Sequence, residues 1–247
     1  MDVEALIDRL AADGPSFADA VTSAGLDAPV PATDWTVRDL VTHVGGIHRW
    51  AADIVVNCGD SFDTAAGDAV GTGPSDNALI DWFRAGHAAL VDTLRAAPAD
   101  LDCATFLPAD SPRQFWARRQ AHETAVHRAD AQAAAGRPAR FDADFAQDGI
   151  AELLLGFAAR KANAIAQAAT IGLRADDGPS WLITLGGERI VAEPCSGPNG
   201  AIEATDATVS GTSSDLYLWL WNRPGAATVT GDGSVAALWR TVRVTWS

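Results

Sequence analysis

The chain has 247 residues, 48% of them apolar, enough to bury a sizeable core in one large domain or two ordinary ones. Its formal net charge is −14 and its pI is about 4.5, which argues against a nucleic acid or an anionic membrane as partner, because both reward basic patches. Small anionic substrates stay open, since a single arginine can hold them.

Met1 to Leu10 carries Asp2, Glu4 and Asp8 rather than the basic start and apolar run of a signal peptide. No stretch reaches the ~20 apolar residues of a membrane span. The expectation is a soluble cytoplasmic protein. Cys58, Cys103 and Cys195 are odd in number and widely spaced, so they read as reduced thiols rather than a disulfide framework or a zinc knuckle.

Val3 to about Ala24 is helical in pattern, with Leu6, Leu10, Phe17 and Val21 near helical spacing and Gly14-Pro15 as a point where the run can break or kink. A Pro-containing loop follows, Ala28 to Asp34. Thr36 is an N-cap with Asp39 at the third helical position, a variant of the capping box. The helix it starts runs from Val37 to about Val56. Gly59 to Gly73 reads as loop. Ser75 or Asp76 caps a third helix to about Ala96, and Pro98 to Pro112 is a connector. A fourth helix spans about Arg113 to Ala135, ended by Gly136-Arg137-Pro138. Together these predict a four-helix bundle over residues 1–143.

The remainder, 144–247, reads as a bridging helix and a small α+β domain. The bridging helix is expected over about Phe145 to Thr170. Trp181 to Leu185 and Arg189 to Ala192 read as a hairpin around Gly186-Gly187. Ala201 to Ser210 suits another strand. Ser213 or Ser214 caps a short helix, Asp215 to Trp221. Ala227 to Thr230 is a strand, Ser234 to Trp239 a helical turn, and Thr241 to Trp246 a last strand.

The five histidines, His43, His48, His87, His122 and His127, all precede residue 128. Metal chemistry, where present, therefore belongs to the bundle, whose facing helices can converge ligands. Glu123 and His127 are four apart on one helix face. His43, on the apolar side of the second helix, is the best third ligand by position. Asp39 and Asp130 are placed to orient His43 and His127 from behind. Three ligands leave coordination positions open, the pattern of a catalytic rather than a structural site. On spacing alone, two alternatives stay open. The Glu-x-x-x-His pair can be a solvated polar face, and His43 a hydrogen-bonded core residue. His48, His87 and His122 read as surface or structural.

Two bundle segments carry a family resemblance. Trp35-Thr36-Val37-Arg38-Asp39-Leu40-Val41-Thr42-His43-Val44-Gly45-Gly46 resembles the opening of the mycothiol-dependent maleylpyruvate isomerase family, a branch of the DinB-like metal-binding bundles. Arg118 to Ala131, containing His122-Glu123-Thr124-Ala125-Val126-His127-Arg128-Ala129-Asp130, resembles its second signature. The tail, with Asp215 to Arg223 and Thr230-Gly231-Asp232, is similar to the family's small C-terminal domain. The resemblance implies a divalent metal, usually zinc, on His43, Glu123 and His127. It also implies mycothiol, a low-molecular-weight thiol of actinobacteria, as cosubstrate. In the family's isomerase the metal activates this thiol, which adds to an activated double bond; the adduct rotates and the thiol leaves. Other members resemble thiol S-transferases.

The family further implies that Arg223 helps bind an anionic substrate, since a guanidinium grips a carboxylate through paired hydrogen bonds. The competing reading is that Arg223 caps carbonyls at a helix end. Arg118 and Arg119 read as a solvated helix face in preference to anion contacts at the bundle mouth. Ala129 stands where many relatives have a large aromatic, and Gln132 where an acid is frequent, so the substrate is less defined than the metal. The expected function is a metal- and mycothiol-dependent S-transferase or cis–trans isomerase acting on a small electrophile. The alternatives are a metal-dependent hydrolase on the same bundle and a non-enzymatic metal or ligand sensor.

Overall fold

A computed structural model of the chain describes residues 1–31, 33–160, 165, 167–195 and 201–242. Two compact units divide it, Met1–Ala139 and Arg140–Ser247.

The first unit is helical. Helices α1 (Val3–Ala24), α2 (Val37–Asn57), α4 (Asp76–Ala96) and α5 (Pro112–Ala134) form the bundle, and a single turn, α3 (Ala65–Asp68), interrupts the segment read as loop. The α1 helix packs most extensively on α5 and also on α4, while α2 packs on α4 and α5. Each long helix starts where local chemistry directs. Asp2 accepts from the Ala5 amide, and Ser111 accepts from Gln114 N with Pro112 in the first turn, so amides that the helix leaves orphaned are satisfied. The α5 helix ends in a left-handed Gly136 (φ 70°), where Gly136 N donates to Ala133 O and Arg137 N to Gln132 O.

The Gly14-Pro15 pair does not break α1, which continues through it as one helix. Gly14 is instead a packing device: a Cβ there would lie 2.3 Å from the His87 ring of α4. His87 donates through Nε2 to Leu10 O at 2.9 Å, which locks its ring against α1. Gly→Ala inside a helix ordinarily stabilises by up to ~1 kcal/mol. Gly14→Ala is expected to do the reverse and cost about 1–3 kcal/mol, the usual toll of overpacking, read from urea unfolding. Gly45 plays the same part between α2 and α4, where a Cβ would meet the Trp82 ring at 2.2 Å.

A buried ion pair joins α1 to α5. Arg128 Nε lies 3.0 Å from Asp13 Oδ1; it is a charge contact rather than an aligned hydrogen bond. Arg9 donates to the other oxygen, Asp13 Oδ2, at 3.2 Å.

The second unit opens with α6 (Ala143–Ala151), which continues as a π-helical stretch, Glu152–Ala158. Among the described residues a five-stranded sheet follows, ordered β3-β2-β1-β4-β5, from β1 (Ala169–Ala175), β2 (Ser180–Leu185), β3 (Val191–Cys195), β4 (Ala207–Gly211) and β5 (Thr228–Gly231). All neighbours are antiparallel except β1 and β4, which run parallel with Ile171 opposite Ala207 and Leu173 opposite Val209. Helices α7 (Ser213–Leu220) and α8 (Gly233–Leu238) complete the unit, and a 3₁₀ turn, Trp239–Thr241, continues α8. Tyr217, Trp239, Phe145, Ile171, Ile183 and Val209 are buried at its core.

Four expectations need correction here. The bridging helix does not reach Thr170; the chain is a strand from Ala169 on. Thr170 and Ile171 are β-branched and favour that state, and β1 gains ladders on both sides, with β2 and β4. Ala201–Ala204 is a 3₁₀ turn, so the strand begins only at Ala207. Thr212, not Ser213 or Ser214, caps α7 through the Asp215 amide, while Asp177 Oδ1 accepts from both the amide and the hydroxyl of Ser213. Thr241 lies in the 3₁₀ turn, and residues 243–246 of the expected last strand lie outside the described residues. Among the described residues no helix is long and apolar enough to cross a membrane.

Candidate metal centre

The amino end of α2 is fixed by reciprocal capping. Thr36 Oγ1 accepts from Asp39 N, and Asp39 Oδ2 accepts from Thr36 N at 2.9 Å and from its hydroxyl at 2.6 Å. These bonds, with Thr36 first, hold the Asp39 carboxyl below its ordinary range. They also correct the expectation that Asp39 orients His43, since the carboxylate is committed to the cap. The preceding loop is tied by Val30 N donating to Trp35 O at 2.8 Å. Trp35 is thereby held against two imidazoles, with ring centroids 4.8 Å from His43 and 6.0 Å from His127.

His43 on α2 and Glu123 and His127 on α5 converge. His43 Nε2 is 3.3 Å and His127 Nε2 3.1 Å from the same oxygen, Glu123 Oε1. Among the described residues these three offer one ligand atom each, all within 4.8 Å of one another. Behind them, Asp130 Oδ2 accepts from His127 Nδ1 at 2.9 Å. That bond keeps a proton on Nδ1 and turns Nε2 toward the centre, the arrangement a metal-ligating histidine needs. Two imidazoles and a carboxylate are a borderline donor set suited to zinc or a similar divalent ion. The residues therefore fit the metal that the family resemblance implies.

The electrostatics of the triad are those of a tight charged cluster. Burial alone would raise the Glu123 carboxyl, but the bonds and charge of His127, then His43 and Arg119, outweigh it and hold Glu123 well below the usual carboxylate range. Burial alone would lower His127; hydrogen bonds to Asp130 and Glu123 and their charges win and push it up to about 9. A divalent ion held by these residues would replace the proton between His127 Nε2 and Glu123, with Asp130 holding the one on Nδ1.

The other histidines are not members of this set. His48 is fully buried, bonded through Nε2 to Thr124 Oγ1 at 2.9 Å, and burial keeps it neutral, well below its usual pKa. His87 is likewise lowered, chiefly by burial. His122 is buried. All three are interior groups, not surface ones. Arg119 also departs from expectation: it is 4% exposed, not on a solvated face, and its Nη2 lies 3.3 Å from Glu123 Oε2. Arg118 is half-buried. Ala129 is buried, and Gln132 accepts from Arg128 Nη1 at 3.0 Å. In the second unit Arg223 Nη1 donates to Trp221 O at 2.8 Å, as the carbonyl-capping alternative expects. Trp35 and Arg119 are the neighbours that the sequence reading did not place. Trp35 opens the first family-like segment, and Arg119 stands one helical turn before Glu123.

Fold and site together define a two-unit protein in which a helical bundle brings His43, Glu123 and His127 together and an α+β unit follows. The model of the mycothiol maleylpyruvate isomerase N-terminal domain matches residues 7–132, and that of the corresponding C-terminal domain matches 144–240. The chain belongs to the mycothiol-dependent maleylpyruvate isomerase family, a family of enzymes. The crystal structure of the mycothiol-dependent maleylpyruvate isomerase is similar in fold, with a TM-score of 0.63 over 93% of each chain at 14% identity. A histidine-to-alanine mutant of that enzyme gives the same values. No curated protein matches the sequence significantly.

Proposed function

We propose that the chain is a divalent-metal-dependent enzyme that uses mycothiol, acting as a maleylpyruvate-type cis–trans isomerase or an S-transferase on a small anionic electrophile. The observation that carries this reading is the convergence of His43 Nε2, Glu123 Oε1 and His127 Nε2 within 4.8 Å, in a chain whose family is defined by mycothiol-dependent isomerisation. These three residues would hold the ion, zinc by the nature of the donors. When bound, such an ion supplies Lewis acidity that lowers the pKa of a thiol or water at an open position.

The chain's own residues do the rest. Asp130 holds the His127 proton on Nδ1 and so fixes the orientation of Nε2 toward the centre. Trp35 lies against both imidazoles, its ring centroid 4.8 Å from that of His43 and 6.0 Å from that of His127. By the family resemblance Arg223 would grip the carboxylate of the substrate with its planar fork, in competition with its bond to the Trp221 carbonyl. A cytoplasmic location belongs to the same reading, because low-molecular-weight thiols are kept reduced there.

Mycothiol titrated into zinc-loaded and chelator-treated protein tests the proposal by calorimetry. Binding is expected only to the loaded form, with conversion of maleylpyruvate when both are present. Thiol binding without that conversion assigns the chain to a different electrophile. Stoichiometric zinc with no thiol binding overturns the thiol chemistry and favours a hydrolase.

A further inference from the structure

Glu123 presents its two carboxylate oxygens to different partners. Oε1 faces the histidines, 3.3 Å from His43 Nε2 and 3.1 Å from His127 Nε2. Oε2 faces Arg119, 3.3 Å from Nη2. The Arg119 side chain is 5% exposed and the Glu123 side chain 22%, so this is not a solvent-screened surface pair. A guanidinium at one oxygen of a carboxylate competes with any second cation for that oxygen. It also adds a positive charge beside the centre, which offsets part of the negative charge of Glu123 and Asp130.

We infer that Arg119 is a positioning residue for the metal centre: it holds Glu123 Oε2 so that Oε1 alone is offered to the ion, and its charge weakens the ion's binding. The consequence is chemical. A carboxylate that gives one oxygen leaves a coordination position open, which both oxygens together would fill. A less strongly neutralised ion also remains a better Lewis acid toward whatever occupies that position. The centre thus gives up affinity for reactivity.

The inference rests on the metal reading of the preceding section, and the test separates the two. Cobalt(II) serves as the probe, because its visible absorption is intense when four-coordinate and weak when the coordination number rises. Wild type, Arg119→Met, Arg119→Gln and Arg119→Lys are loaded and titrated, with folding followed by circular dichroism. Arg119→Met removes both charge and hydrogen bond. It is expected to bind cobalt roughly tenfold or more tightly, as loss of a nearby like charge predicts, and to lose much of the visible intensity. Arg119→Gln removes the charge but keeps a donor for Oε2; it should bind more tightly with a near-wild-type spectrum. Arg119→Lys keeps the charge and a donor, and should restore both values toward wild type even where Arg119→Met fails to fold. Cobalt bound by wild type with an unchanged spectrum and affinity in Arg119→Met and Arg119→Gln overturns the inference alone. Absence of cobalt binding by wild type overturns the metal reading and this inference with it.

Discussion

His127→Ala is expected to lower the affinity for a divalent metal at least ~100-fold, since loss of even an outer partner of a ligand costs about 10–100-fold. The change removes one of three converging donors and also frees Asp130, whose carboxylate is 2.9 Å from Nδ1. His43 and Glu123 alone then face each other across a 3.3 Å contact, and two ligands from two helices hold an ion poorly. His43→Ala and Glu123→Ala are expected to behave alike. Asp130→Asn should fall between these and wild type, because the ligating nitrogen survives but its orientation is less fixed. His87→Gln is the control, for that residue is bonded to Leu10 O and belongs to the α1–α4 contact. Competition against a chelator of known affinity measures all five. Undiminished metal content in the three ligand variants would sink the site assignment.

The second large effect is on stability. Asp13→Ala is expected to destabilise the first unit by about 3–5 kcal/mol, the range for removing one partner of a buried ion pair. Asp13 is 5% exposed and Arg128 6% exposed, and Arg9 shares the same carboxylate. The cost comes chiefly from a guanidinium left in a dry setting without that countercharge, rather than from loss of the attraction itself. Replacing both Asp13 and Arg128 by apolar residues, Asp13→Leu with Arg128→Met, should therefore recover much of the loss. Urea unfolding of Asp13→Ala and of the double variant gives the comparison. A penalty under ~1 kcal/mol for Asp13→Ala would show that water reaches the pair and screens it.

The bundle was legible because its signals are local. Thr36 with Asp39 and Gly136 mark helix ends through bonds that span only a few residues. The Glu123–His127 spacing was legible for the same reason. His43 was harder, since pairing it with α5 requires knowing how helices pack; its place on the apolar side of the second helix made it the best third ligand by position, and the family resemblance implied the same set. Arg119 was misjudged for a physical reason. The α5 helix buries Arg119, Gln120, His122, Thr124, Arg128 and Asp130 along with its alanines, so it has no clean polar face. Periodicity then misreads buried ionic groups as solvated ones. In the second unit, Ala-rich sequence ahead of Ala169 concealed β1, because a central strand is chosen by its neighbours on both sides, which lie far along the chain.

That central strand also sets the order in which the molecule acquires its shape. The β1–β2 and β2–β3 pairs are antiparallel neighbours in sequence, but the parallel ladder from Ile171–Ala207 to Ala175–Gly211 closes a long loop with the whole hairpin inside it. Loop-closure entropy must be met before any of those bonds form, and non-local pairing of this kind is slow relative to helix docking. The β1–β4 ladder is therefore expected to be the slowest pairing of the C-terminal unit to form. Until then β1 keeps one edge open, an unpaired template on which a newly made chain is most exposed to mispairing and aggregation.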